Sequence, residues 1–163
     1  YMDTHPSLLV HYFKTKEDLV IAMVDHLVEK YQGDFLPIIE SIEDTKDRLR
    51  LIVYGIFSLE WINKVDISVF YSFYTSTYRN ENIRERFQSM YLIFRNFLIG
   101  ELEIGQEEGI VTKDLEVPTF VDFMISLQEG NSYYQGLMKG IIKGRDVAEH
   151  QINMLYKLMG LDE

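Results

Sequence analysis

Between Asn80 and Gly109, apolar side chains return every three or four residues: Ile83, Phe87, Met90, Tyr91, Phe94, Phe97, Leu98 and Leu102. At 3.6 residues per turn they share one face, so the segment reads as a long amphipathic helix. Asn80 is its N-cap and Gly109 lies just past its end. The same period runs through nearly the whole chain, and no segment alternates as a half-buried strand must. The expected class is therefore all-α. A helix from Lys16 carries Leu19, Val20, Met23, Leu27 and Val28 to about Gln32, where Gly33 and Pro37 are expected to break or kink it. Thr15, with Asp18 three residues on, resembles a capping box for its start. Asp44 or Thr45 is expected to cap a helix running to about Ile62, and a short aromatic helix is expected over 66–78. A further helix is expected from Pro118 to about Lys143, stopped by Gly144, and a last one over 146–159 from an Asp146 cap.

The chain has 163 residues, 47% of them hydrophobic and 26% charged, which suits a globular protein with a sizeable core. A net charge of −10 makes it a poor generic partner for phosphate backbones. Cysteine is absent, which excludes disulfides, thiolate metal sites and a Cys nucleophile and fits the cytoplasm. The longest apolar run, 49–62, is interrupted by Arg50 and Glu60 and is too short to span a bilayer, so no membrane partner is expected. His5, His11, His26 and His150 are scattered, and no HExxH, GxSxG, P-loop or GxGxxG occurs. No catalytic residue, metal or cofactor is expected, and the protein is not expected to be an enzyme.

The two C-terminal helices are apolar over a wide arc. Such helices must be buried on more than one side. Either they pack in one large core, or they join a symmetric four-helix interface in a homodimer through Phe120, Tyr134, Met138, Ile152, Leu155, Tyr156 and Met159. The body is also rich in aromatics, which at helical spacing form either core or pocket. Tyr hydroxyls need partners when buried, and sites between bundle helices are apolar with a few polar handles. The residues expected around a small, largely apolar or aromatic effector are Phe57, Trp61, Phe70, Tyr71, Tyr74, Tyr91, Phe94, Phe123, Gln128 and Asn131. Glu60 and Glu129 are possible acidic handles, and a carboxylate in an aromatic cage would favour a cationic lipophile.

Residues 6–19, Pro6-Ser7-Leu8-Leu9-Val10-His11-Tyr12-Phe13-Lys14-Thr15-Lys16-Glu17-Asp18-Leu19, join a short polar-faced helix to a capped second helix through an aromatic pair and a turn. This run resembles the end of the helix-turn-helix in TetR/AcrR-type transcriptional regulators, and the order of helices after it is similar to the family's. The resemblance implies that residues 1–15 are the remainder of a DNA-binding domain, with a recognition helix at about 6–12, and that two helices precede it. It implies that 16–163 form the ligand-binding and dimerisation domain, with a connecting helix over about 16–32 and dimer helices at about 118–143 and 146–159. Thr4, His5, Ser7, His11, Tyr12, Lys14 and Lys16 would then contact DNA. Val10 stands where the family often has a Tyr that touches DNA. The function implied is a homodimeric repressor released from near-palindromic operator DNA by a small-molecule effector. The alternative is a helical-bundle binding protein or enzyme with no DNA role.

Overall fold

In a computed structural model of the chain, residues 12–58, 71 and 74–161 are described. The expected recognition helix, apart from Tyr12, lies outside them, as do Trp61 and Phe70. The described residues form helices α1 (Lys16–Lys30), α2 (Leu36–Glu40), α3 (Thr45–Phe57), α4 (Glu81–Glu107), α5 (Val117–Leu137) and α6 (Gly144–Met159), with no strand among them. The all-α class expected from the periodicity is the observed one.

The caps follow the side chains. Thr15 and Asp18 complete the capping box of α1: the Asp18 amide donates to Thr15 Oγ1 at 3.0 Å, and the Thr15 amide donates to Asp18 Oδ2 at 3.0 Å. Asp44 accepts from the Asp47 amide at 2.8 Å to start α3, and Asn80 accepts from the Ile83 amide at 3.0 Å to start the 27-residue α4. Gly109 and Gly160 close α4 and α6 in the left-handed conformation, with φ of 74° and 81°.

Four boundaries differ from expectation. Gly33 and Pro37 do not break the connecting helix. The chain passes through a π-helical turn, Tyr31–Phe35, directly into α2, in whose first turn Pro37 sits. The wider turn bonds the Leu36 amide to the Tyr31 carbonyl, which lets the helix admit a proline that has no amide to give. Helix α3 ends at Phe57 rather than Ile62, because Ser58 turns to an extended backbone (ψ 146°). Helix α5 ends at Leu137, not Lys143, and a loop through Gly140 at φ 84° follows. Gly144 therefore opens α6 rather than stopping α5. Asp146 lies in the first turn of α6, where its charge meets the helix dipole, and the N-cap position belongs to Lys143.

Helix α4 is the spine. Its N-terminal half packs on α1, burying Val20 and Val24 against Ile83 and Phe87. Its C-terminal half enters the main core with α3, α5 and α6, where Leu49, Ile52, Val53, Phe57, Leu98, Leu102, Val121, Met124 and Leu155 are buried. Gly105 permits the closest approach, since a Cβ there would lie 2.7 Å from Val111 Cγ2 and 2.9 Å from Leu49 Cδ1. Arg48 ties α3 to α4: its Nε donates to Glu101 Oε2 at 2.7 Å and its Nη1 to the Ile42 carbonyl at 3.0 Å.

A candidate effector cavity between the connecting helix and the body

A cavity of about 240 Å³ opens at the seam of the two apolar clusters. Leu27 and Val28 of α1 and Tyr31 and Phe35 of the π turn form one wall. Gly55 and Ile56 of α3, Met90, Tyr91, Ile93 and Phe94 of α4, and Gln128 and Glu129 of α5 form the rest. The π turn shapes its wall: Tyr31 stacks on Phe35 with ring centroids 5.6 Å apart, and meets Phe94 edge-on at 5.7 Å. The Tyr31 hydroxyl is buried and has no hydrogen-bond partner among the described residues. Burial, with the nearby Glu101 charge, holds its pKa above the usual tyrosine value, so it stays a neutral hydroxyl.

The polar centre of the cavity is Glu129. The Tyr91 hydroxyl donates to its Oε1 at 2.6 Å. The Tyr71 hydroxyl donates to the Glu129 carbonyl at 2.9 Å and reaches Oε2 at 3.4 Å. Burial raises the Glu129 pKa above the ordinary carboxylate value, while the two tyrosine donors pull it back. Burial and the adjacent carboxylate push the Tyr91 and Tyr71 hydroxyls up, which keeps both as donors. Gln128 donates to Ser132 Oγ at 3.1 Å, one turn along α5.

Of the ligand residues expected from the sequence, Tyr91, Phe94 and Gln128 line the cavity, and Tyr71 reaches it through Glu129. Tyr74 packs edge-on against Tyr71 and Phe87, behind the lining. Phe57 is fully buried in the main core, Phe123 is on the surface, and Asn131 is buried beside Gln135, whose amide donates to it at 2.9 Å. None of these three lines the cavity, because the helical rotation of α3 and α5 turns them elsewhere. The wall supplied by Leu27, Val28, Tyr31 and Phe35 is absent from the sequence expectation. The signal was there: Leu27, Tyr31 and Phe35 repeat at i, i+4 and i+8.

The residues expected at a dimer interface divide. Ile152, Leu155 and Met159 form, with Ala148, one stripe of α6 buried against the subunit's own core. Phe120 is buried on α5, while Tyr156 packs beside the core and donates to the Arg50 carbonyl at 2.9 Å. Tyr134 is exposed and Met138 partly so. The arc looked wide because the two helices also carry Phe123, Tyr133, Leu137, Met154 and Leu158, which remain exposed. At the other end, Tyr12, Lys14 and Lys16 are exposed at the start of α1. No helix among the described residues is long and apolar enough to cross a membrane, and no group of His, Asp or Glu among them could hold a metal ion.

Residues 44–161 match the family described as tetracyclin repressor-like, C-terminal domain. The HTH-type transcriptional regulator BetI of Rhizobium meliloti (strain 1021) is 24% identical over 100 residues, covering 61% of this chain and 47% of that protein. The chain thus spans about half the length of the curated relative it matches. The fold is that of a TetR transcription regulator from Haloarcula marismortui ATCC 43049 (TM-score 0.74, 19% identity, 96% of this chain and 81% of the other). It is also that of the transcriptional regulator FadR from Bacillus subtilis, solved in complex with stearoyl-CoA (TM-score 0.74, 16% identity, 95% and 82%). Helices α3, α4 and α5 of the cavity wall lie within the matched residues, and the chain belongs to the tetracyclin repressor-like family of transcriptional regulators.

Proposed function

We propose that the protein is a homodimeric, ligand-responsive repressor of the cytoplasm, released from operator DNA when a small, largely apolar or aromatic effector enters the α1–α4–α5 cavity. The observation that carries this reading is the composition of the cavity wall. The helix that begins at Thr15 beside Lys14 and Lys16 is the same element that, one π turn later, presents Tyr31 and Phe35 to the cavity. An effector there touches both the connecting helix and the body. Thr4, His5, Ser7, His11, Tyr12, Lys14 and Lys16 are assigned to DNA, with hydroxyl, imidazole and ammonium groups suited to phosphates and base edges. Two copies would place their recognition helices roughly 34–36 Å apart, in successive major grooves of a near-palindromic site.

The α1 attachment supports a route for the signal. Asn80 and Asn82, at the start of α4, donate to Glu17 at 2.7 and 2.6 Å, and Arg86 pairs with Asp25. Displacing α4 at Met90–Phe94 would therefore pull on α1 near its DNA end. An effector need prefer the displaced form by only about 1–3 kcal/mol to shift DNA affinity 5–150-fold. For dimerisation we assign the exposed apolar residues of α5 and α6, Phe123, Tyr134, Leu137, Met154 and Leu158, in place of the α6 residues that the subunit buries itself. The test is DNA binding by the complete protein to fragments from around its own gene, across a salt series. Specific binding that weakens with salt is expected. Failure to bind any DNA at low salt would refute the regulator reading.

A further inference from the structure

The cavity has one formally charged group among its described lining residues, and that group is negative. Glu129 sits between α4 and α5, half-buried, with only neutral donors on it among the described residues. No Lys, Arg or His among the described residues pairs with it or lines the cavity. The contrast with Glu101 is informative: that inward carboxylate, one helix over, is met by Arg48 at 2.7 Å. The Tyr91 hydroxyl donates to Glu129 Oε1 at 2.6 Å. A carboxylate buried in an apolar pocket without a counter-charge is costly, and no Lys or Arg among the described residues supplies one. Four wall residues are aromatic: Tyr31, Phe35, Tyr91 and Phe94 offer π-electron density, which attracts positive charge and repels negative charge.

We infer that the effector is an organic cation, an ammonium centre on a small apolar or aromatic body, whose charge lies against the Glu129 carboxylate and the neighbouring aromatic rings. This rests on the reading of the cavity as the effector site, and it excludes free carboxylates and phosphorylated compounds as effectors. Tyr91 and Tyr71 are positioning residues: their hydroxyls donate to Glu129, aim its carboxylate and favour its charged form. The cavity, at about 240 Å³, lies below the roughly 300–1,000 Å³ of drug-sized sites, so the cation is small.

Three phenyl probes of different charge test this: phenyltrimethylammonium, its neutral isostere tert-butylbenzene, and the anion benzoate. Binding is measured by equilibrium dialysis at pH 8 on the complete protein and on Glu129→Gln. Wild type is expected to bind phenyltrimethylammonium about tenfold to a hundredfold tighter than tert-butylbenzene, with benzoate weakest. In Glu129→Gln the preference disappears while tert-butylbenzene binds as before, which shows the cavity intact. Should circular dichroism show that variant misfolded, the isostere comparison on wild type decides alone. Equal binding of the cation and its isostere, a preference that survives in Glu129→Gln, tightest binding of benzoate, or binding of none of the three would each overturn the inference. DNA release separates the two claims. If tert-butylbenzene binds without any charge preference and still releases DNA, the effector site stands and the cation does not. If the Glu129-dependent preference is present and DNA binding is unmoved, the cation stands and the regulatory role does not.

Discussion

Replacing Tyr91 by Phe removes one hydroxyl and little volume, and its cost should depend on pH. The lost bond is the 2.6 Å contact to Glu129. A hydrogen bond to a charged group contributes about 1.5–3 kcal/mol, against about 0.5–1.5 kcal/mol for a neutral pair. Glu129 has a folded pKa above its ordinary 4.5, chiefly through burial. Between 4.5 and that higher value the native state holds more protons than the unfolded state, so this group makes stability fall as pH rises, and the fall is complete above the folded pKa. Below 4.5 the carboxyl is neutral in both states and contributes no such loss. Tyr91→Phe withdraws a group that favours the charged form, so the folded pKa rises further and the loss deepens. The variant should be less stable than wild type by about 1.5–3 kcal/mol at pH 8 and by only about 0.5–1.5 kcal/mol at pH 4. The difference of about 1 kcal/mol corresponds to somewhat under one further pKa unit on Glu129. Urea unfolding of both proteins at both pH values, at one protein concentration, measures this, and titrations common to both proteins cancel. An equal cost at the two pH values, or a greater cost at pH 4, would refute an ionised Glu129 held by Tyr91.

Two glycines of α4 should respond to alanine with opposite signs. At Gly105 the new methyl meets Val111 and Leu49 below 3.0 Å, and the overpacking cost of about 1–3 kcal/mol should exceed the helix-propensity gain of about 1 kcal/mol. At Gly100 nothing lies within 4 Å, so the gain of about 1 kcal/mol should stand alone; urea midpoints check both. Leu155→Ala should cost about 2–5 kcal/mol of subunit stability, because Leu155 is fully buried within the subunit. Leu158→Glu, on the exposed side of α6, should leave the fold intact by circular dichroism and shift sedimentation from dimer to monomer.

The helices were legible wherever a local rule set them. The Thr15–Asp18 box, the Asp44 and Asn80 caps and the glycine stops at 109 and 160 all need only neighbours in sequence. The misread boundaries lie where a local signal was ambiguous. Gly33 and Pro37 announce a break in most helices, but a π turn absorbs them here, and Gly140, not Gly144, takes the left-handed position after α5. Burial direction was less accessible. Leu155 and Leu158 look alike in sequence, and only the packing of α6 on α3 turns one inward and leaves the other exposed. For the cavity, Tyr91, Phe94, Gln128 and Glu129 could be singled out as aromatic or polar residues on apolar stripes. Tyr31 and Phe35 could not be joined to them, since that contact depends on how α1 and its π turn cross α4.

The central claim is that the cavity and the DNA site are coupled through α1. The most direct measurement is fluorescence anisotropy of the complete protein on a labelled operator fragment, with and without saturating phenyltrimethylammonium, paired with dialysis of the same cation with and without saturating operator. Coupled sites require one factor in both directions: the cation should weaken DNA binding about 5–150-fold, and DNA should weaken cation binding by that same factor. DNA affinity unchanged by a cation that demonstrably occupies the cavity would contradict the account.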